Sequence, residues 1–387
     1  MSVSLEIEGG LVHLSGNEIK IKLTASEAKL NHVLLLKVTC PTLIGSPFIE
    51  EAACKDLGAA FNISGLVDQP VEFSFDFPST GVINGHGLLR FLLTIDVGES
   101  WYDDQNNYHE SWMDLQTGNE ISVLSGMLRS YEKSLLNQEN KSFASEYING
   151  GKFLTNLPLL QRIRPDQIPL LWYLGRWTED RPITAHLRYW SNVKTNGFEL
   201  TRDGVIYTIT GLVEFAVHPY FWGATFVPGE YLTRFEFWVT DADGVVSETR
   251  SYEVDNEFYE KSFIFYYVNS LSGIDNIWLH GEYSEGLTTE KEYAIKPVPS
   301  GSSTRVASRK TVLSSGRRWW ELNTGYYDRR EDLLALRDFL ESGECWMIDP
   351  DRYNRLIPVN IVANDYKLFK SDIDYIPNLD VKIEEAH

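Results

Sequence analysis

Cysteine is scarce in this chain, and the three present, Cys40, Cys54 and Cys345, form no CxxC pair and have no histidine at metal-binding spacing. So sparse and odd a set excludes a disulfide scaffold and predicts synthesis in a reducing cytoplasm. Long hydrophobic runs are missing too. Nothing approaches the roughly 20 apolar residues that span a bilayer, so no membrane partner is expected. The first residues, MSVSLEIEGG, lack the charged start and apolar stretch of a signal peptide. Positive charge is in deficit: 35 Lys and Arg face 55 Asp and Glu, a net −20. A field of that sign repels nucleic-acid backbones, so no nucleic-acid partner is expected.

Catalytic motifs are equally absent. There is no GxSxG, HExxH or P-loop pattern. Asp241-Ala242-Asp243-Gly244 and Asp349-Pro350-Asp351-Arg352-Tyr353-Asn354 look like fragments of a calcium loop, yet neither has the distal Glu and full ligand ladder. Turn chemistry explains both. His86, between Gly85 and Gly87, is a turn residue rather than a base. A glycan-cleaving enzyme needs a carboxylate pair that only the fold reveals, and among 55 acids no pair stands out. The expectation is therefore no enzyme, no catalytic residue, no metal and no cofactor.

Aromatic residues, by contrast, make up 13%: 11 Trp, 20 Tyr and 19 Phe. Large rings favour pleated, half-buried surfaces and suit either interfaces or a sugar-binding face. Composition does not separate those two, but alternation supports the pleated β structure. Leu5–Glu8, Ile19–Leu23, Val33–Val38, Val71–Phe77 and Phe91–Val97 read as strands of an N-terminal β domain over 1–150. Prolines 158, 165 and 169 forbid a continuous helix and mark a junction over 151–182. Ile183–Trp190 and Tyr231–Thr240 then open a second, sandwich-like β domain over 183–296, in which Asp243-Gly244 signals a hairpin with both turn residues at positive φ. The fold class is mainly β, with multidomain sandwich- or barrel-like domains and a small C-terminal α+β module over 319–387.

That module contains the one convincing helix, capped by Asp328 with Glu331 three residues on and striped by Leu333, Leu336 and Leu340 before Ser342-Gly343 ends it. Cys345–Ile348, Leu356–Val362 and Leu379–Ile383 follow as strands.

Three stretches are candidate binding surfaces. Trp101, Tyr102, Asn106, Asn107 and Tyr108 lie in a polar, aromatic loop that suits a glycan or a partner, because rings cover a sugar's apolar face while amides bond its hydroxyls. Residues 297–318 are Ser-rich, and from Lys296 onward the segment carries bases but no acid. Such a segment is a solvated linker or an arm that docks on an acidic neighbour, and copies of this acidic chain would supply one. Arg305, Arg309, Lys310, Arg317 and Arg318 are its interface candidates. In the third stretch, Phe258–Ala294, the run Phe263–Val268 is apolar on both faces, as a doubly covered strand requires. Ile277–Tyr283 then reads as half-buried. Tyr266, Trp278 and His280 are the contact candidates there, with Trp278 and His280 on the exposed face.

Three ordered segments resemble tail proteins of Bacteroidetes phages and prophages. They are Lys152-Phe153-Leu154-Thr155-Asn156 with Gln167–Trp172; Phe265–Ser270 through Gly273-Ile274-Asp275 to Gly281-Glu282; and Asn323-Thr324-Gly325 with Leu333, Leu340, Ser342 and Pro358-Val359. The resemblance runs from about Phe153 to the end, and Leu271-Ser272 makes one loop longer than the pattern. It implies a structural virion protein without enzymatic activity, at the distal tail, baseplate or hub. Such a protein is assembled in the host cytoplasm into the virion tail, with copies of itself and other tail proteins as partners. A glycan-binding adhesion module contacting a host surface glycan is the alternative.

Overall fold

The computed structural model describes residues 3–8, 10–41, 45–67, 82–84, 90–113, 120–148, 150–174, 181–206, 212–295, 309–325, 330–349, 355–362, 364–366 and 378–386. The fold is mainly β, built from several sheets with few helices. Two compact units form. One comprises Met1–Arg162, Ile168–Val254 and Asn269–Asp275; the other comprises Ile163–Gln167, Asp255–Val268 and Asn276–His387.

The first unit begins with two sheets around one apolar core. Val3–Ile7, Lys20–Ala25 and Gly58–Asn62 form a three-stranded sheet. In Lys20–Ala25 exposed and buried residues alternate without a break, as a strand with one wet face requires. The second sheet runs Val12–Leu14, Glu120–Leu124, Arg90–Tyr102, Leu30–Thr39, Phe48–Ala53, with Tyr108–Met113 added on Arg90–Tyr102. Ile21, Leu23 and Phe61 meet Leu34, Leu36, Leu93, Ile95 and Val123 in the shared core. The strand expected at Val71–Phe77 lies outside the described residues.

Two further sheets complete this unit. One is ordered Leu160–Ile163, Arg250–Val254, Leu232–Asp241, Arg181–Ser191, Phe198–Ile206; the other is Leu170–Leu174, Leu212–Ala216, Val82–Asn84. Phe153, Phe215, Phe237 and Trp222 pack ring against ring. The hairpin at Asp243-Gly244 forms, but its ladder closes with Asp241 opposite Gly244, leaving Ala242 and Asp243 in the turn. Gly244 has φ +123°, and Asp243 is not at positive φ. The two-residue reading was one position out.

The second unit is a seven-stranded sheet in the order Ile274–Leu279, Phe263–Val268, Cys345–Ile348, Leu356–Ile361, Asp380–Glu385, Arg309–Asn323, Tyr283–Ile295. Helix Arg330–Leu340 covers it, its Phe339 ring 5.3 Å from Phe265 and 5.4 Å from Tyr267. Its buried seam is Leu333, Ala335, Leu336 and Phe339, with Leu340 only half-buried. The expected cap at Asp328 lies outside the described residues.

Domain boundaries at 151, 183, 297 and 319 do not divide this structure. Val82–Asn84 pairs with Leu212–Ala216, joining the expected first and second domains. Phe263–Val268 pairs with Cys345–Ile348, and Tyr283–Ile295 with Arg309–Asn323, taking the end of the expected second domain into the C-terminal sheet. Backbone hydrogen bonds between distant segments set the units, and local composition carries no trace of them. A second helix, Ser130–Gln138, also escaped the sequence reading. Only Glu132 of it is buried and Leu135 is exposed, so it lacks the apolar stripe that betrays a helix.

Candidate interaction surface

The 297–318 segment is not a linker where it is described. Arg309–Asn323 is a strand whose ladder with Tyr283–Ile295 runs from Tyr283 opposite Leu322 to Ile295 opposite Arg309. On its other side only Trp319–Asn323 continue the sheet, pairing with Asp380–Glu385. Beyond Trp319, among the described residues, the two strands pair with each other alone. They form a ribbon leaving the sheet, roughly 30 Å long at the usual rise of a strand. Leu287 to Tyr293 are exposed without interruption, so neither face of that strand is covered. Leu287 and Tyr293 remain 60% and 56% exposed.

The root of the ribbon is fastened. Gly286 has no Cβ because the Trp319 ring lies against it, and any side chain there would collide with the indole. Arg317 reaches Glu384 at 3.4 Å, and Arg318 reaches Asp349 at 3.8 Å while lying 4.9 Å from the Trp320 ring centre. Lys261 pairs with Glu285 at 3.6 Å. Of the five basic candidates, Arg317 and Arg318 thus sit at the root. Arg309 and Lys310 lie at the far end of their strand from the root, and Arg305 lies outside the described residues. The partner strand was missed because YSEGLTTEKEYAI has no apolar alternation. From Leu287 to Tyr293 it is solvated on both faces.

The other contact candidates are mostly interior. Tyr266 is fully buried, opposite Trp346 in the sheet, so it presents nothing to another subunit. Ile274–Leu279 is buried at every position rather than half-buried, and Asn276 tolerates this because Gln167 Nε2 donates to its Oδ1 at 2.6 Å. Trp278 is only 8% exposed. Tyr259 covers it edge-on at 5.2 Å, His280 stacks on it at 4.2 Å, and the Arg164 guanidinium lies 5.9 Å from its ring centre. The alternation put Trp278 on the wet face; the 255–262 loop supplies the cover that the strand pattern omits. His280 is half-buried and lines an open pocket of about 550 Å³ with Tyr259, Glu260, Lys261, Glu282 and Tyr283. On the same loop Phe258 is 91% exposed.

Residues 101–109 form a hairpin, with Trp101 opposite His109 and Tyr102 opposite Tyr108. Asp103 holds its turn: its carboxylate accepts from Gln105 N at 2.9 Å, from Asn107 N at 2.8 Å and from Asn107 Nδ2 at 3.0 Å, and lies 3.0 Å from His109 Nε2. Those bonds, His109's first, hold the carboxyl far below the usual carboxylate range. Trp101 carries Lys29 Nζ 3.6 Å from its ring centre and His109 stacked at 5.3 Å. The half-buried Trp101 ring and the Asn107 amide are therefore engaged within the chain, although Asn107, like Asn106 and Tyr108, is exposed.

Beneath this hairpin is a buried ionic cluster that the sequence did not reveal. Lys29 Nζ donates to Glu99 Oε1 at 2.7 Å, and His32 Nε2 lies 2.7 Å from Glu99 Oε2. Burial opposes ionisation of Glu99, but the bonds from Lys29 and His32 outweigh it and hold the carboxyl below its ordinary value. A carboxylate at a buried position of a strand was the only available signal. The calcium-like fragment at Asp241 serves as a turn, its Oδ1 accepting from Asp243 N at 2.8 Å; of the other fragment only Asp349 lies within the described residues. Among the described residues no three His, Cys, Asp or Glu side chains come together to hold a metal, and no helix is long and apolar enough to cross a membrane. No protein-family model matches the chain, and no curated protein matches it.

Proposed function

We propose that this chain is a structural subunit of a phage tail, at its distal end, baseplate or hub, assembling through contacts with copies of itself and with other tail proteins. The observation that carries this reading is the ribbon of Tyr283–Ile295 and Arg309–Asn323, which leaves its sheet with Leu287–Tyr293 of one strand exposed on both faces. A two-stranded ribbon in water is marginally stable at best, so an extended one with exposed Leu287 and Tyr293 is suited to a partner. The ordered resemblance to phage tail segments points the same way. In this reading the protein is not an enzyme, needs no cofactor, and works in the virion after assembly in the host cytoplasm.

The mass of the purified chain in solution, with negative-stain microscopy, tests it. A discrete oligomer or ring is expected; a monodisperse monomer that binds oligosaccharide would overturn it. That second outcome would favour a glycan-binding adhesion module contacting host glycan. Exposed Asn106 and Tyr108 favour such a module, whereas the occupied ring of Trp101 disfavours it.

A further inference from the structure

The two strands of the ribbon differ in charge. Tyr283–Ile295 carries Glu285, Glu290 and Glu292 against Lys291 alone. Arg309–Asn323 carries Arg309, Lys310, Arg317 and Arg318 against Glu321 alone. Among the described residues each strand also has a free edge. Tyr283–Ile295 is the last strand of its sheet, and the backbone of Arg309–Gly316 pairs in the ladder with Tyr283–Ile295 alone. One ribbon therefore presents an acidic edge on one side and a basic edge on the other.

We infer that the occupant of these edges is the ribbon of a second copy, with the basic strand of one chain adding to the acidic strand of the next. This rests on the structural-subunit reading and specifies its interface. Unpaired edge N–H and C=O groups are a template for strand addition, which supplies main-chain hydrogen bonds without any shaped pocket. Charge selects the register of partners. Acidic edge against acidic edge, or basic against basic, places like charges side by side, so the self-pairing of a symmetric dimer is disfavoured. Acidic against basic is favoured. That contact is heterologous, using two different surfaces, and so each added copy offers a fresh acidic edge and a fresh basic edge. Repetition closes into a ring where the rotation permits. When neighbouring ribbons point the same way, the added strands run antiparallel, like the pair within each ribbon.

The test is charge exchange at outer-strand positions, away from the ion pairs at the root. Glu290→Lys with Glu292→Lys makes both edges basic; Arg309→Glu with Lys310→Glu makes both edges acidic. Solution mass of each folded variant, with circular dichroism confirming its strand content, is compared with the unaltered chain and with an equimolar mixture of the two variants. The inference expects the unaltered chain to oligomerise, each variant alone to associate about tenfold more weakly or less, and the mixture to recover the oligomer. Recovery on mixing separates charge pairing from a folding defect, which mixing would not repair. An oligomer that persists in both variants overturns this interface while leaving a structural subunit assembled through another surface. Variants that stay apart when mixed also overturn it. A monomeric unaltered chain overturns it as well, and the oligosaccharide-binding measurement then decides the broader reading.

Discussion

Ser270 Oγ donates to Glu132 Oε1 at 2.7 Å across 138 positions of sequence. The same Oε1 accepts from Asn156 Nδ2 at 2.8 Å, which ties helix Ser130–Gln138 to both the 153–156 and the 269–275 segments of the first unit. Asn269 organises the loop from within. Its Nδ2 donates to Leu154 O at 2.9 Å and to Asp275 Oδ2 at 2.8 Å, while its Oδ1 accepts from Leu271 N and Gly273 N. Gly273 permits this closure because a Cβ there would collide with the Leu154 carbonyl. The 153–156 and 269–275 segments are thus hydrogen-bonded neighbours in one buried network.

Asn269→Ala removes two donated and two accepted bonds from this buried site. Unsatisfied buried groups cost about 1–3 kcal/mol each, and water relieves some of them, so a loss of about 3 kcal/mol or more is expected. Urea denaturation followed by tryptophan fluorescence measures it. A loss no greater than that of a surface Asn→Ala control would remove the network from the account of this unit's stability.

Glu99 is the shared anion of Lys29 and His32. Glu99→Ala leaves both bases beside a cavity and is expected to cost about 3–5 kcal/mol, whereas Lys29→Met with Glu99→Leu costs less because no buried charge is stranded. Its lowered carboxyl pKa sets the sign with pH: the stabilisation is present above the unfolded pKa and is lost as pH falls. Acid titration of unfolding in native and Glu99→Leu proteins compares the two. Identical acid limbs would contradict the assignment.

Glu214 behaves in the opposite sense. It is buried opposite Trp172 in the sheet, and burial pushes its carboxyl up from 4.5 to about 7. The folded state holds this proton more tightly than the unfolded chain does. Its contribution is therefore complete below pH 4.5 and is lost as pH rises through about 7. Glu214→Gln should stabilise the protein by up to about 3 kcal/mol at pH 8 and by almost nothing at pH 4. Equal gains at both pH values would exclude desolvation as the cause.

Trp101 is held by Lys29 and His109, so its side chain serves the hairpin. Trp101→Ala is expected to destabilise the first unit by about 1–2 kcal/mol through lost cation–π and ring contacts. Under the structural reading, retention on immobilised oligosaccharides does not change. Loss of oligosaccharide retention with unaltered stability would instead support the adhesion module.

The sequence by itself determined the elements whose physics is local. Alternation marked Lys20–Ala25 and Leu232–Asp241, the doubly apolar run marked Phe263–Val268, and the leucine stripe marked Arg330–Leu340. Composition likewise set the acidic, mainly β character and picked out the basic stretch before Trp319. Only tertiary structure decided the rest. A strand's pattern records whether its faces are wet, but not which distant strand bonds its edges or which loop lies over it. So Trp278 went under Tyr259, Glu99 met His32 of another strand and Lys29 just before it, and Arg309–Asn323 became half of a ribbon because Tyr283–Ile295 completed its ladder.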